Sequence, residues 1–265
     1  MVIPLRDNNP TAKRAYVTML IILLNVVVYF IVQPHDGGQN EARFTVEHAA
    51  IPCEITRDQP INVTEYNTQQ CDDATANLQP PAFPHKNVWL AILFSMFLHG
   101  SFLHIAGNMW FLWIFGNNVE DYLGKIGYAI FYLFAGFVAA AAHVLYQPHS
   151  TVPVIGASGA IAGVMGMYLV LWPRARVLSF VPIFFFFLLP LPAVVVLVLW
   201  FGLQFLTGPN SDVAWVAHVG GFLAGAGLGL LLKRIKPPRP VGFFSSRHLP
   251  PPTAPPPSPG PVIDV

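Results

Sequence analysis

The chain of 265 residues is 54% hydrophobic and only 10% charged, with a mean hydropathy of +0.54. A soluble domain carries about a quarter charged residues, so this composition excludes one and points to a polytopic membrane protein. The formal net charge of +1 provides no basic field for nucleic acid.

Apolar runs near residues 15–32, 97–115, 126–145, 155–171, 178–206 and 215–232 are each close to the length, about 20 residues, that crosses a bilayer. They predict an all-α fold, a polytopic bundle of six transmembrane helices. It forms one membrane domain over 15–235, between an N-terminal segment at 1–14 and a tail at 236–265. With the N-terminus inside, 11 of the 14 Lys and Arg residues fall on the cytoplasmic side, which places both termini there. The expected location is an integral, multi-pass position in a bacterial plasma membrane.

The first run follows Lys13 and Arg14. It is long for a secretory signal, and Gln33-Pro34-His35 has no small-residue cleavage site, so it reads as a retained anchor. Residues 34–87 form the one long polar loop, on the outside, with a short helix expected near Phe44 to His48. Both cysteines, Cys53 and Cys71, lie in it and are candidates for a disulfide, with two free thiols as the alternative. The spacing lacks a CxxC pair, and neither metal nor cofactor is expected.

The second run carries His99-Gly-Ser-Phe-Leu-His104-Ile-Ala-Gly-Asn108. Polar groups inside a membrane mark function by default. His104 and Asn108 stand one helical turn apart on one face and can donate to one oxygen, whereas His99 is expected to point away as a satisfied core residue. Glu120 and Asp121 close this helix at the inner face and are expected to bond orphan backbone groups.

The fourth run opens with Gly156-Ala157-Ser158-Gly159. A serine here sits at a helix N-terminus, where free N–H groups favour developing negative charge; taken alone, the stretch is equally a small-residue packing motif. The fifth run contains Pro182, Pro190 and Pro192, which predict a kinked helix, read either as a lipid-facing bend or as a lateral gate. The sixth carries His218 before Gly221, Gly225 and Gly229, a seam that permits close helix approach. A matching seam at Ser158, Ala162 and Gly166 would bring Ser158 to His218. Both are expected about three residues into their helices, roughly 5 Å down, and no carboxylate lies at that depth; Asp212 belongs to a short outer loop.

His-x4-His-x3-Asn, Gly-Ala-Ser-Gly and Ala-His-x2-Gly, in this order and on these helices, resemble the rhomboid family of intramembrane serine proteases over about residues 10 to 235. The resemblance implies an endopeptidase with Ser158 as nucleophile and His218 as base. His104, Asn108 and the backbone N–H groups of Ser158 and its neighbour Ala157 would hold the oxyanion. Its partners would be transmembrane protein substrates in a lipid bilayer. The chain departs from the family pattern twice: Trp89 is followed by Leu90, giving no Trp-Arg pair in the loop, and Ala162 stands where some members stack a tyrosine on the histidine. A non-catalytic relative that binds membrane segments is the other reading. The tail, rich in proline from Pro237 onward, is expected to be extended and disordered, with a cytoplasmic partner as an alternative role.

Overall fold

The computed structural model describes residues 2–72, 74, 76, 78–183, 185–206 and 214–239. Asp212 and the tail from residue 240 lie outside the described residues. Helices dominate. They are α1 (Tyr16–Val27, continued by a π turn at Val28–Val32), α2 (Gln39–His48), α3 (Pro52–Arg57), α4 (Val63–Thr68), α5 (Val88–Ser95), α6 (Phe102–Leu123), α7 (Lys125–Tyr146), α8 (Ser158–Leu171), α9 (Ala193–Gln204) and α10 (Trp215–Ile235).

Among the described residues, α7 and α10 are long and apolar enough to cross a bilayer by length and composition. α6 has 22 residues but carries His104, Asn108 and a polar end from Asn117 to Asp121. α8 and α9, with 14 and 12 residues, are about 21 and 18 Å long at 1.5 Å per residue, short of a core about 30 Å thick. Six equal spans are therefore not what the helix lengths give.

α8 sits at the centre. Every residue from Gly159 to Tyr168 is buried, as expected of a helix that is apolar on all sides, and α6, α7 and α10 pack around it. The contact with α10 is backbone against backbone. A Cβ on Gly221 would lie 2.1 Å from the Gly159 carbonyl oxygen, and one on Gly225 would lie 1.9 Å from that of Gly163. The α8 side of the seam is thus Gly159, Gly163 and Gly166, one residue on from the expected Ser158 and Ala162. The shift leaves Ser158 free to turn its hydroxyl out of the contact.

The fold is not all-α. Strands β1 (Ile3–Asp7), β2 (Arg176–Ile183) and β3 (Phe185–Pro192) form an antiparallel sheet in the order β1-β2-β3. The expected fifth helix loses its first half to this sheet, and its prolines do not kink a helix. Pro190 and Pro192 lie on the edge strand, where a missing N–H is tolerated, and Pro182 lies beyond Phe180, the last β2 residue paired with β1. Burial alternates along β2, with Val177, Ser179 and Val181 inward, the period-2 signature of a strand. α9 starts after Pro192 and has no internal proline.

Asp7 at the end of β1 accepts from Asn118 of α6 at 2.5 Å and from the backbone N–H of Asn9, and burial pushes its carboxyl up to about 7. Glu120 accepts from the N–H groups of Val17 and Thr18 at 3.0 and 2.7 Å, and Asp121 from that of Ala12. Glu120 thus holds orphan donors in the first turn of α1 and Asp121 one in the segment before it, the role expected of the pair.

The polar loop is a cap of three short helices, more ordered than its composition suggested. Cys53 and Cys71 are joined, with sulfurs 2.08 Å apart. Arg57 grips Glu65 through two hydrogen bonds, while Lys86 meets Glu54 at 2.5 Å in a fully buried pair. Burial pushes the Glu54 carboxyl up and the Lys86 ammonium down, and their mutual attraction opposes both shifts. The cap is bonded to the segment that leads into α8: Val154 N–H donates to Ala50 O and Cys53 N–H to Ser150 O.

Reduction of the Cys53–Cys71 bond should leave the bundle folded and loosen the cap. Cross-links closing a loop of 18 residues are worth about 3 kcal/mol in the chain-entropy model. Intact-mass analysis after alkylation, with and without reductant, checks the pairing, and a lower melting temperature on reduction checks its weight. Two alkylated cysteines in unreduced protein would refute it.

Candidate active site

Gly156 sets the entry to α8. Its φ of +119° lies where side chains are strained, and a Cβ there would fall 2.8 Å from His104 Nε2 and 3.6 Å from Asn108 Nδ2. Only glycine fits on both counts. Gly156 N–H donates to Ser95 O at 2.8 Å, which fixes the turn against the end of α5. Ala157, fully buried, is the N-cap residue, and Ser158 is the first residue of α8 rather than the third. α8 has no side-chain cap, so its first-turn N–H groups face the space beside the Ser158 hydroxyl.

His218, three residues into α10, brings its Nε2 to 2.7 Å from Ser158 Oγ. The glycine seam produces this meeting, because it lets the two backbones touch at Gly159 and Gly221, one residue past Ser158 and three past His218. On the other nitrogen, His218 Nδ1 lies 2.7 Å from Oε1 of Gln204, near the end of α9. Trp200, one turn earlier on α9, sets its ring 5.9 Å from the His218 ring.

α6 supplies the other two polar groups. His104 Nδ1 accepts from the Gly100 N–H at 3.4 Å, which leaves Nε2, the nitrogen on the Gly156 side, to carry the proton. Asn108 is 8% exposed and its Nδ2 has no protein partner among the described residues. Two N–H donors thus stand on the Gly156 side of Ser158. A carbonyl oxygen seated between them and the α8 N-terminus would find side-chain and backbone donors at once.

His99 is a buried core residue whose Nδ1 lies 3.3 Å from Phe97 O, as expected, but it does not point away from His104: it precedes the N-cap Ser101, and its ring packs edge-on against His104 with centroids 5.0 Å apart. Its backbone is clamped by Gln33, which donates to His99 O at 2.7 Å and accepts from His99 N–H.

A small cavity of about 40 Å³ adjoins Ser158, bounded by Met96, Gly136, Ala139, Ala140, Gly156 and Ala217 among others. Gln204 and Trp200 are the site residues that sequence reasoning passed over, and Gly156 was read only as part of the small-residue motif. Gln204 carried a readable signal, being the one amide in the otherwise apolar stretch 193–206.

The comparison with known proteins decides the family. The Rhomboid domain family matches residues 86–235, more than half of the chain. The chain belongs to the rhomboid family. This rhomboid is 32% identical over 96 residues to the mitochondrial Rhomboid protein 1 of Saccharomyces cerevisiae, covering 35% of the chain and 28% of that protein. It is 30% identical over 145 residues to the Rhomboid protease GluP of Bacillus subtilis, covering 54% and 26%. A longer match, 25% over 228 residues, is to RHOMBOID-like protein 7 of Arabidopsis thaliana, covering 83% and 66%. The chain spans less than a third of the length of the first two. Membership makes it an integral membrane protein. The relatives include mitochondrial, chloroplastic and bacterial proteins, so they do not single out a bacterial membrane.

Proposed function

We propose that this rhomboid is an intramembrane serine endopeptidase that cleaves transmembrane segments near the outer end of their span. The single observation that carries the reading is the 2.7 Å contact of Ser158 Oγ with His218 Nε2 at the uncapped N-terminus of α8. In this reading α1 with its π turn, α6, α7, α8, α9 and α10 are six crossing segments, the short α8 and α9 completed by the turns around them. The charge bias supports both termini in the cytoplasm, and our proposed location is a bacterial plasma membrane.

The hydroxyl passes its proton to Nε2 as Oγ attacks a substrate carbonyl carbon. The resulting oxyanion is held by His104, Asn108 and the backbone N–H groups at Ala157 and Ser158. Collapse breaks the C–N bond, and the imidazolium returns the proton to the leaving amine. Water, deprotonated by the same nitrogen, then attacks the acyl carbon; the C–Oγ bond breaks and the imidazolium returns the proton to Oγ. A helical substrate hides its carbonyls in backbone bonds, so it must unwind locally, which favours Gly, Ala or Ser at the cut. The small cavity beside Ser158 supports the same preference.

A fluorophosphonate probe and product mapping test this together. Labelling at Ser158, with cuts in the outer half of a model substrate's span, is expected. Cuts in the inner half would contradict the depth of the site. Complete absence of labelling in an active lipid environment would favour a non-catalytic, segment-binding rhomboid.

A further inference from the structure

We infer that Gln204 is a positioning residue for His218, and that it selects the imidazole tautomer in which Nε2 is free to take the serine proton. The inference rests on the proposed function for its consequence and on geometry for its substance. Gln204 is 8% exposed, and its two amide atoms face different partners. Nε2 lies 3.1 Å from the backbone carbonyl of Trp200, and Oε1 lies 2.7 Å from His218 Nδ1.

The assignment of protons follows from one group that has no choice. A carbonyl oxygen can only accept, so the amide edge facing Trp200 O must be the NH2. The edge facing His218 is then the oxygen, which also can only accept. His218 Nδ1 must therefore carry a hydrogen and donate it. A neutral imidazole has one N–H, so Nε2 is left with its lone pair directed at Ser158 Oγ, 2.7 Å away. A backbone carbonyl on α9 thus sets, through one amide, the protonation pattern of a histidine on α10. The opposite tautomer would put an N–H against the hydroxyl and leave Nδ1 bare against Oε1, two acceptors in contact in a dry site.

α9 also fixes the ring itself. The Trp200 ring lies 5.9 Å from that of His218, tilted by 39°, and stacks on Phe222 of α10. The ring is thus steadied by an indole while the amide holds its edge. Gln204 is a neutral acceptor, so it orients the ring edge without adding a charge within the membrane.

The test uses the full-length protein in nanodiscs with 15N-labelled histidine. The wild type should show an Nδ1–H tautomer for His218, assigned by its loss in His218→Ala. Gln204→Met, which keeps volume and removes the acceptor, should mix the tautomers and lower the rate of fluorophosphonate labelling about tenfold, the weight of one hydrogen bond. Its melting temperature should stay close to wild type. Gln204→Glu, which restores an acceptor, should recover both the tautomer and most of the rate. Unchanged His218 nitrogen signals in Gln204→Met would overturn the inference, as would a rate loss that tracks melting temperature and is not rescued by Gln204→Glu. The tautomer is read without activity, so an unlabelled wild type would count against the proposed function and leave the role of Gln204 standing.

Discussion

Ser158→Ala should abolish cleavage and probe labelling while the protein stays folded, because it deletes one hydroxyl at a helix end and leaves the glycine seam intact. His218→Ala should fall to the same floor. Losses on the order of 10⁵- to 10⁶-fold are the scale for removing a serine nucleophile or its base, and the double variant should be no worse than either single one, since the pair acts as a unit. Asn108→Ala should sit between, down about 10²- to 10³-fold, because His104 and the backbone N–H groups still meet the oxyanion. Cleavage rates and melting temperatures measured side by side decide the matter. Full activity in Ser158→Ala, free of contaminating protease, would end the mechanism.

The second large effect is in the seam, and it comes from a single methyl group. Gly225→Ala places a Cβ 1.9 Å from the Gly163 carbonyl oxygen, backbone against backbone, so α8 and α10 must move apart. Overpacking of a core usually costs about 1–3 kcal/mol, and here no flexible side chain can yield, so the upper end or beyond is expected. Gly227→Ala is the matched control: it adds the same methyl two residues along the same helix, where nothing lies within 4 Å. It should be neutral or mildly stabilising. Only Gly225→Ala should lose labelling, because the displaced α10 withdraws His218 from Ser158. Equal melting temperatures for the two variants would show that the seam is not a backbone contact.

Much of this arrangement could be read from residues, and the misreadings have identifiable physics. Small residues every fourth position announced close helix approach, and polar groups in apolar runs announced a site; both signals are local and depend on residue type. The seam register on α8 was missed by one position, since Ser158 and Gly159 are both small and only the partner's backbone distinguishes them. The stretch 178–192 reads as helix in the sequence because a long apolar run has no periodicity of its own to betray a strand. Its three prolines were the available warning. Gln204 was lost inside the same run, and with it the support of His218. Ala162 had left open what would hold that ring, and α9 supplies the answer from a helix whose contact with α10 no spacing rule foretells.

β1 pairs with β2 across about 170 positions of chain, Asp7 opposite Val177. Ribosomes add about 5–20 residues per second, so this strand waits roughly 10 to 35 seconds before its partner is even synthesised. During that interval its edge is unpaired and α1 is made without it. The sheet is therefore among the last parts of the molecule to form, after α6 and α7 are in place, and Asp7 reaches Asn118 only once the strand settles. Closing it ties the segment before α1 to the segment after α8, so the protein carries in β1 a pairing that a nascent chain stalled before residue 176 cannot acquire.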